Sequence, residues 1–142
     1  MSLPAFHLAI PVVDLEACLV FYRDLLGCQQ GRRSADWADL SLRGHQLVLH
    51  RVPADLQANG SPASNPVDGD RVPVPHFGLV LAWQEWELLG ERIRAAGHPF
   101  RIEPRVRFVG QVGEQGTFFL LDPSANALEF KALRDPEQLF AT

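Results

Sequence analysis

An internal repeat constrains this chain more than any other feature. The stretch "AFHLAIPVVD" puts His7 at the start of an apolar strand, and "VPHFGLVL" does the same with His76. Each strand is followed by a helical pattern that ends in glycine. "LEACLVFYRDLLG" spaces Leu15, Cys18, Leu19, Tyr22, Leu25 and Leu26 along one helix face and stops at Gly27. "QEWELLGERIRAAG" does so with Trp86, Leu89, Ile93 and Ala96 and stops at Gly97. His7 precedes its glycine by 20 residues and His76 by 21. A self-similar period of this kind is weighed before any single motif, because it fixes the architecture.

The remaining pattern completes two modules. Asp14 is placed as an N-cap for the first helix. "DWADLSLRG" and "HQLVLHRV" read as strands joined by a tight turn at Arg43-Gly44. After the second helix come "HPFRIEP", "GTFFLL" and "NALEFKAL", the last two joined through Asp122-Pro123-Ser124-Ala125. The order β-α-β-β-β occurs twice, so an α+β fold with two βαβββ modules and mixed sheets is expected. Module one spans 4–50 and module two spans 76–133, within a single domain over 1–142. Between them "RVPADLQANGSPASNPVDGDRVPVP", residues 51–75, loses all periodicity. It reads as a long irregular linker, a length that in a compact domain is functional or joins modules.

Composition narrows the class. The chain of 142 residues carries a formal charge of −4 with no basic block, which argues against nucleic acid as partner. No apolar run reaches the roughly 20 residues that span a bilayer, and no secretory signal is recognisable. The two cysteines, Cys18 and Cys28, have neither disulfide-framework nor zinc-knuckle spacing. A reduced, cytoplasmic protein is expected.

Strand alternation then points to chemistry. If the apolar set of each strand covers its helix, the alternate set lines the opposite face. That face carries His7 and Ala9; Gln46, Val48 and His50; His76, Gly78 and Val80; Thr117, Phe119 and Leu121; and Ala127, Glu129 and Lys131. On sheets curved by twist, such a face forms a cup. Two imidazoles and one carboxylate on it suit a divalent transition metal. They match the facial arrangement of non-haem Fe(II) oxygenases, which leaves positions open. Fe(II) is the expected metal, with Mn(II), Zn(II) and Ni(II) as alternatives. A lone strand histidine is ordinarily a structural residue, but an inward glutamate needs a partner. Trp37, Phe108 and Phe119 are candidates for an apolar wall against an aromatic substrate; they serve equally well as core or dimer-contact aromatics. Gln46 and His50 are the polar candidates for substrate contact.

The pieces "FHLAIPVVDLEACLVFYRDLLG", "PHFGLVL" and "FLLDPSANALEFK" resemble the vicinal oxygen chelate superfamily, which includes glyoxalase I, bleomycin- and fosfomycin-resistance proteins and type I extradiol dioxygenases. The resemblance covers roughly residues 4–133. "GHQLVLH", "NPVDG", "VPVPHFG", "GEQGTFF" and "DPSANALEFK" are similar to a bacterial group described as predicted extradiol-type dioxygenases. The resemblance implies that His7, His76 and Glu129 are metal ligands. It implies a small vicinally dioxygenated substrate such as a catechol, with O2 as co-substrate, and a homodimer. It gives His45 an acid–base role. Two departures bear on the reaction. Glyoxalase I has a fourth ligand in the last strand of its first module, and Val48 stands there in this chain. The dioxygenases have a tyrosine ten residues before the glutamate ligand, where this chain has Phe119. A lyase or isomerase working without O2, and a non-catalytic small-molecule binder of the resistance type, are the alternative readings.

Overall fold

The computed structural model describes residues 2–56 and 63–142. The chain divides into two compact units. Among the described residues the first holds 2–56 and Asp122–Asn126; the second holds 63–121 and 127–142.

In the first unit β1 (His7–Val12) leads into α1 (Leu15–Leu19), which continues as a π-helical turn over Val20–Leu25. The Asp14 carboxylate accepts the Ala17 N–H and caps the helix, as the sequence predicts. Gly27, at φ 81°, lets the chain reverse after it. Then follow β2 (Gln29–Arg33), β3 (Trp37–Leu42) and β4 (His45–Arg51). The strand order is β1-β4-β3-β2, with β1 parallel to β4 and the other pairs antiparallel. Ile10, Val12, Leu47 and Leu49 are buried on one side with Leu15, Cys18 and Leu19 of the helix. Phe6, whose spacing from Leu8 and Ile10 would put it on that apolar side, precedes the strand and is exposed. Within this unit Tyr22 donates to Asp122 Oδ2 at 2.7 Å, Val13 N–H donates to Ser124 Oγ at 2.8 Å, and Asn126 Nδ2 donates to the Pro11 carbonyl at 2.8 Å.

The second unit repeats the plan. It contains β5 (Ala63–Val67), β6 (Asp70–Val74), β7 (Phe77–Val80), α2 (Trp83–Ala95), β8 (Ile102–Arg107), β9 (Gln115–Leu121) and β10 (Ala127–Leu133). Its main sheet has the order β7-β10-β9-β8, again with the first pair parallel. The helix packs through Trp86 and Ile93 onto Phe118 and Phe130; the Trp86 indole N–H donates to the Phe130 carbonyl at 3.0 Å. Gly116 is obligatory under that indole, since a Cβ there would lie 2.7 Å from the ring.

One part of the expected linker differs. Residues 57–62 lie outside the described residues, but Ala63–Val74 is a β-hairpin rather than an irregular connection. Asp68 and Gly69 both have positive φ (42° and 87°), the conformation a tight two-residue hairpin turn needs. The hairpin packs on the second sheet. Val72, with Val67 beside it, covers Phe119 and Ile102. Arg105 reaches Asp68 at 3.1 Å and Asp70 at 3.0 Å, and the fully buried Arg107 pairs with Asp70 at 3.0 Å and donates to the Val67 carbonyl.

Candidate metal centre

The register of each sheet decides which side chains share a face. In the second unit Glu129 stands between Gly78 of β7 and Phe119 of β9. Gly78 is required there, because a Cβ would meet the Glu129 carbonyl oxygen at 1.6 Å. His76 immediately precedes β7 and alternates onto the same face. Its Nε2 lies 3.2 Å from Glu129 Oε1, and its Nδ1 lies 2.7 Å from the Pro73 carbonyl. A carbonyl only accepts, so Nδ1 carries a proton and Nε2 is the nitrogen turned to the carboxylate. The other carboxylate oxygen, Oε2, accepts the hydroxyl of fully buried Thr117 at 2.6 Å. The Phe119 ring meets the His76 imidazole edge to face at 5.0 Å.

These contacts set the protonation of the pair. The hydrogen bond to Glu129 raises the His76 pKa above its ordinary value, against the opposing effect of burial. Burial pushes Glu129 upward, but the hydrogen bonds from His76 and Thr117 and the charge of Lys131 outweigh it, leaving the carboxyl below its ordinary value. Both shifts favour the ionic form of the pair, with a proton on the His76 nitrogen that faces the carboxylate.

A divalent cation fits the place of that proton. An imidazole nitrogen and a carboxylate oxygen 3.2 Å apart are a donor set that suits a divalent transition metal, which both atoms would hold. The Pro73 carbonyl already fixes the tautomer that frees Nε2, as outer partners of metal-bound histidines do. Thr117 holds the carboxylate from behind.

In the first unit His7 is exposed at the start of β1, and its Nδ1 lies 2.8 Å from Gln46 Oε1. This is the same arrangement, an oxygen on Nδ1 that leaves Nε2 open. The register places Gln46 beside His7 and Ser41, and His50 beside Pro11 and Trp37, all on one face. The Arg32 guanidinium lies over the Trp37 ring at 5.9 Å. His45 alternates with Leu47 and Leu49 instead, and its Nδ1 accepts the Phe6 N–H at 3.0 Å. A cleft of about 300 Å³ at the end of this sheet is lined by Gly31, Asp39, Ser41, His45 and Gln46, among others.

Of the predicted ligands, His76 and Glu129 are brought together. Among the described residues no three His, Cys, Asp or Glu side chains gather into one cluster. Phe119 is buried against Val72 and Ile102 rather than open to a substrate. Phe108, at φ 54°, gives its N–H to Asp68 Oδ2 at 3.2 Å. Thr117 lies on the face that the sequence predicts, but its bond to Glu129, the Pro73 carbonyl and the hairpin are not read there as parts of the site. The signal for Thr117 was its alternation with Phe119 opposite Glu129; the signal for the hairpin was the dipeptide Asp68-Gly69.

Two four-stranded mixed sheets of the same order, each with one helix on one side, define a paired βαβββ protein. The sequence matches the Glyoxalase/Bleomycin resistance protein/Dioxygenase superfamily over residues 5–130, and the chain belongs to that superfamily. It is 35% identical to a glyoxalase/bleomycin resistance protein/dioxygenase from Alicyclobacillus acidocaldarius, with a TM-score of 0.76 and 96% of both chains covered. The fosfomycin resistance protein FosX of Listeria monocytogenes shares the fold at 17% identity and a TM-score of 0.66, covering 98% of this chain and 100% of that one. A lactoylglutathione lyase from Agrobacterium tumefaciens does so at 19% identity and a TM-score of 0.67, covering 98% and 97%. No protein with a curated description matches. No helix among the described residues is long and apolar enough to cross a membrane.

Proposed function

We propose that the protein is a metal-dependent enzyme in which His7, His76 and Glu129 hold a divalent cation, Fe(II) first, and that it acts on a small vicinally dioxygenated, catechol-like substrate with O2. The observation that carries this reading is the partly buried His76–Glu129 pair, braced from behind by the Pro73 carbonyl and Thr117. A carboxylate so placed needs a cation, and Nε2 of each histidine is left as the donor atom. When bound, the metal supplies Lewis acidity toward two adjacent substrate oxygens and, as iron, the redox chemistry that O2 requires. The protein's own part is to orient the two imidazoles through Gln46 and Pro73 and to keep the carboxylate ionised. His45, given an acid–base role by the resemblance, leaves the face of β4 opposite to Gln46, and no proton transfer is assigned to it. A cytoplasmic homodimer is part of the same reading.

A second reading is favoured by one observation. Position 119, where the dioxygenase pattern has a tyrosine, is a phenylalanine sealed beneath Val72 and Ile102. A lyase or isomerase that stabilises an enediolate without O2 does not need that phenol. A binder of the resistance type is supported less, since sequestering a small molecule needs no braced His–Glu pair.

The test starts from metal content in protein purified without chelator or nickel resin. Glu129→Gln keeps the size and removes the charge, and is expected to lose the metal and keep the fold. Unchanged stoichiometry would refute the ligand assignment. With Fe(II) restored under ascorbate, O2 uptake is expected with a member of a catechol panel. Undiminished anaerobic turnover, or full activity with Zn²⁺, would favour the second reading, because zinc has no redox chemistry.

A further inference from the structure

Of the 13 Lys and Arg side chains, twelve are arginine and one, Lys131, is lysine. The arginines are largely engaged: Arg23, Arg32, Arg33, Arg51, Arg94, Arg105, Arg107 and Arg134 all sit in ion pairs. Lys131 is different. It has neither an ion pair nor a side-chain hydrogen bond among the described residues, although it is half-buried. Its place in the sheet explains why. Lys131 follows Glu129 by two positions on β10, so both side chains leave the same face, roughly 6.5–7 Å apart along the strand. Its neighbours across the sheet are Val80 and Thr117, which carry no charge. The near carboxylate is Glu129, and both its oxygens are taken, by His76 and by Thr117. The ammonium is close enough for its field to act on Glu129 and on His76.

A cation beside a metal site is a repulsive arrangement unless an anion arrives with the ligand. A compact ammonium on a flexible stem accepts that anion as a point charge, without the planar fork geometry an arginine imposes. Resting on the metal reading above, we propose that Lys131 receives a carboxylate of the substrate. The site then selects vicinally dioxygenated compounds that also carry an acid group, a dihydroxy aromatic acid in the catechol reading, over their neutral counterparts. The distance between positions 129 and 131 is one that a single substituted aromatic ring bridges.

The solitary lysine makes the test direct. Reductive methylation with ¹³C-formaldehyde labels Lys131 and the N-terminal amine and leaves both charged. The Lys131 methyl signal is followed during titration with 3,4-dihydroxybenzoate and with catechol, on metal-free and on Zn²⁺-loaded protein. Dihydroxybenzoate is expected to shift the signal and to bind about tenfold or more tighter than catechol, the range a charge-assisted contact supplies. Lys131→Gln is expected to erase that preference, bringing dihydroxybenzoate down to catechol, and Lys131→Arg to keep part of it. Equal affinity for the two probes in the unaltered protein overturns the proposal, as does a preference that survives in Lys131→Gln. Selectivity that depends on Lys131 but not on Zn²⁺ upholds the lysine assignment and refutes the metal reading. Binding that requires Zn²⁺ but ignores the carboxylate does the reverse.

Discussion

Thr117→Val isolates the brace behind the candidate ligand. The substitution is nearly isosteric, and the side chain it changes is fully buried at the centre of β9. It deletes one bond, the 2.6 Å donation from Oγ1 to Glu129 Oε2. A hydrogen bond to a charged group contributes about 1.5–3 kcal/mol, and Oε2 has no other protein donor to turn to. That amount should appear as lost stability of the metal-free protein, reduced by whatever water reaches the partly buried carboxylate. The effect on metal affinity has a different origin. With Oε2 released, the carboxylate can rotate, and Oε1 is no longer held toward His76 Nε2 before the metal arrives. Loss of such an outer partner typically lowers affinity by about 10–100-fold, which corresponds to roughly 1.4–2.8 kcal/mol.

The assay is a Co²⁺ titration read by visible absorption, alongside urea unfolding of the metal-free variant. Thr117→Ser, which restores the hydroxyl, should recover affinity even if the lost methyl weakens packing. A Val variant that binds Co²⁺ as tightly as the unaltered protein would refute the bracing role. A Val variant that is less stable yet unchanged in affinity would make Thr117 a core residue and nothing more.

Metal-free protein should also show the ionic pair in its pH dependence. Glu129, lowered in the fold, contributes stability that is present above its ordinary 4.5 and lost as pH falls through its folded value; His76, raised in the fold, contributes stability that is full below its ordinary 6.5 and lost as pH rises through its folded value. The stability difference between the unaltered protein and a Glu129→Gln variant, from urea melts, should therefore be largest between those values, and a flat difference would contradict the pair. Tyr22→Phe removes a 2.7 Å bond to buried Asp122, whose Oδ2 keeps only Asn126 Nδ2 at 2.9 Å; a loss of about 1.5–3 kcal/mol is expected, and a neutral result would show the phenol is unneeded. Asp70→Asn leaves Arg107 buried beside a neutral partner. It should cost about 2–3 kcal/mol, less than the roughly 3–5 kcal/mol of a fully buried pair because Asp70 keeps some water contact; hydrogen exchange in 63–74 should rise, and unchanged protection would contradict the latch. Burial lifts the Cys18 and Cys28 thiols to about 11 each, so iodoacetamide at neutral pH should modify them only after unfolding, and rapid alkylation of the native protein would contradict their placement.

The repeat was legible because it rests on local signals. Asp14 caps, Gly27 and Gly97 take positive φ after their helices, and the apolar residues alternate in β1, β3 and β10. The hairpin was not legible for an equally physical reason. Each of its strands, "ASNPV" and "DRVPV", contains a proline, which removes a ladder donor and reads as loop. What holds them is distant in sequence. Val72 needs Phe119 and Ile102, and Asp68 and Asp70 need Arg105 and Arg107. The face carrying Glu129 was readable from period-two alternation, whereas the bonds to Pro73, Thr117 and Gln46 depend on register, which no single strand reveals. The resemblance gives His45 its role by its place at the start of β4, but neighbours in a strand leave opposite faces, and His45 stands next to Gln46.

The two sheets, compared position by position, show where the modules have diverged. In the first, Val48 of β4 lies beside Ala9, two residues beyond His7; in the second, Glu129 of β10 lies beside Gly78, two residues beyond His76. Val48 and Glu129 are thus equivalent, so the first module lacks the carboxylate that would make a fourth ligand. By the same register His50 corresponds to Lys131, and Trp37 to Thr117. The helix-facing positions tell the opposite story, since Leu47 and Leu49 correspond to Leu128 and Phe130 and all four are buried. Packing has kept one face of each sheet apolar in both copies. The other face is bound by no such demand, and there each copy carries its own set: His7, Gln46, His50 and Asp39 in one, His76, Glu129 and Lys131 in the other. That asymmetry places the ammonium near the His76–Glu129 pair in the second module alone. It also gives the hairpin a reason to sit there: β6 runs through Pro73, whose carbonyl orients His76, so the strand that covers Phe119 also fixes the imidazole that faces Glu129.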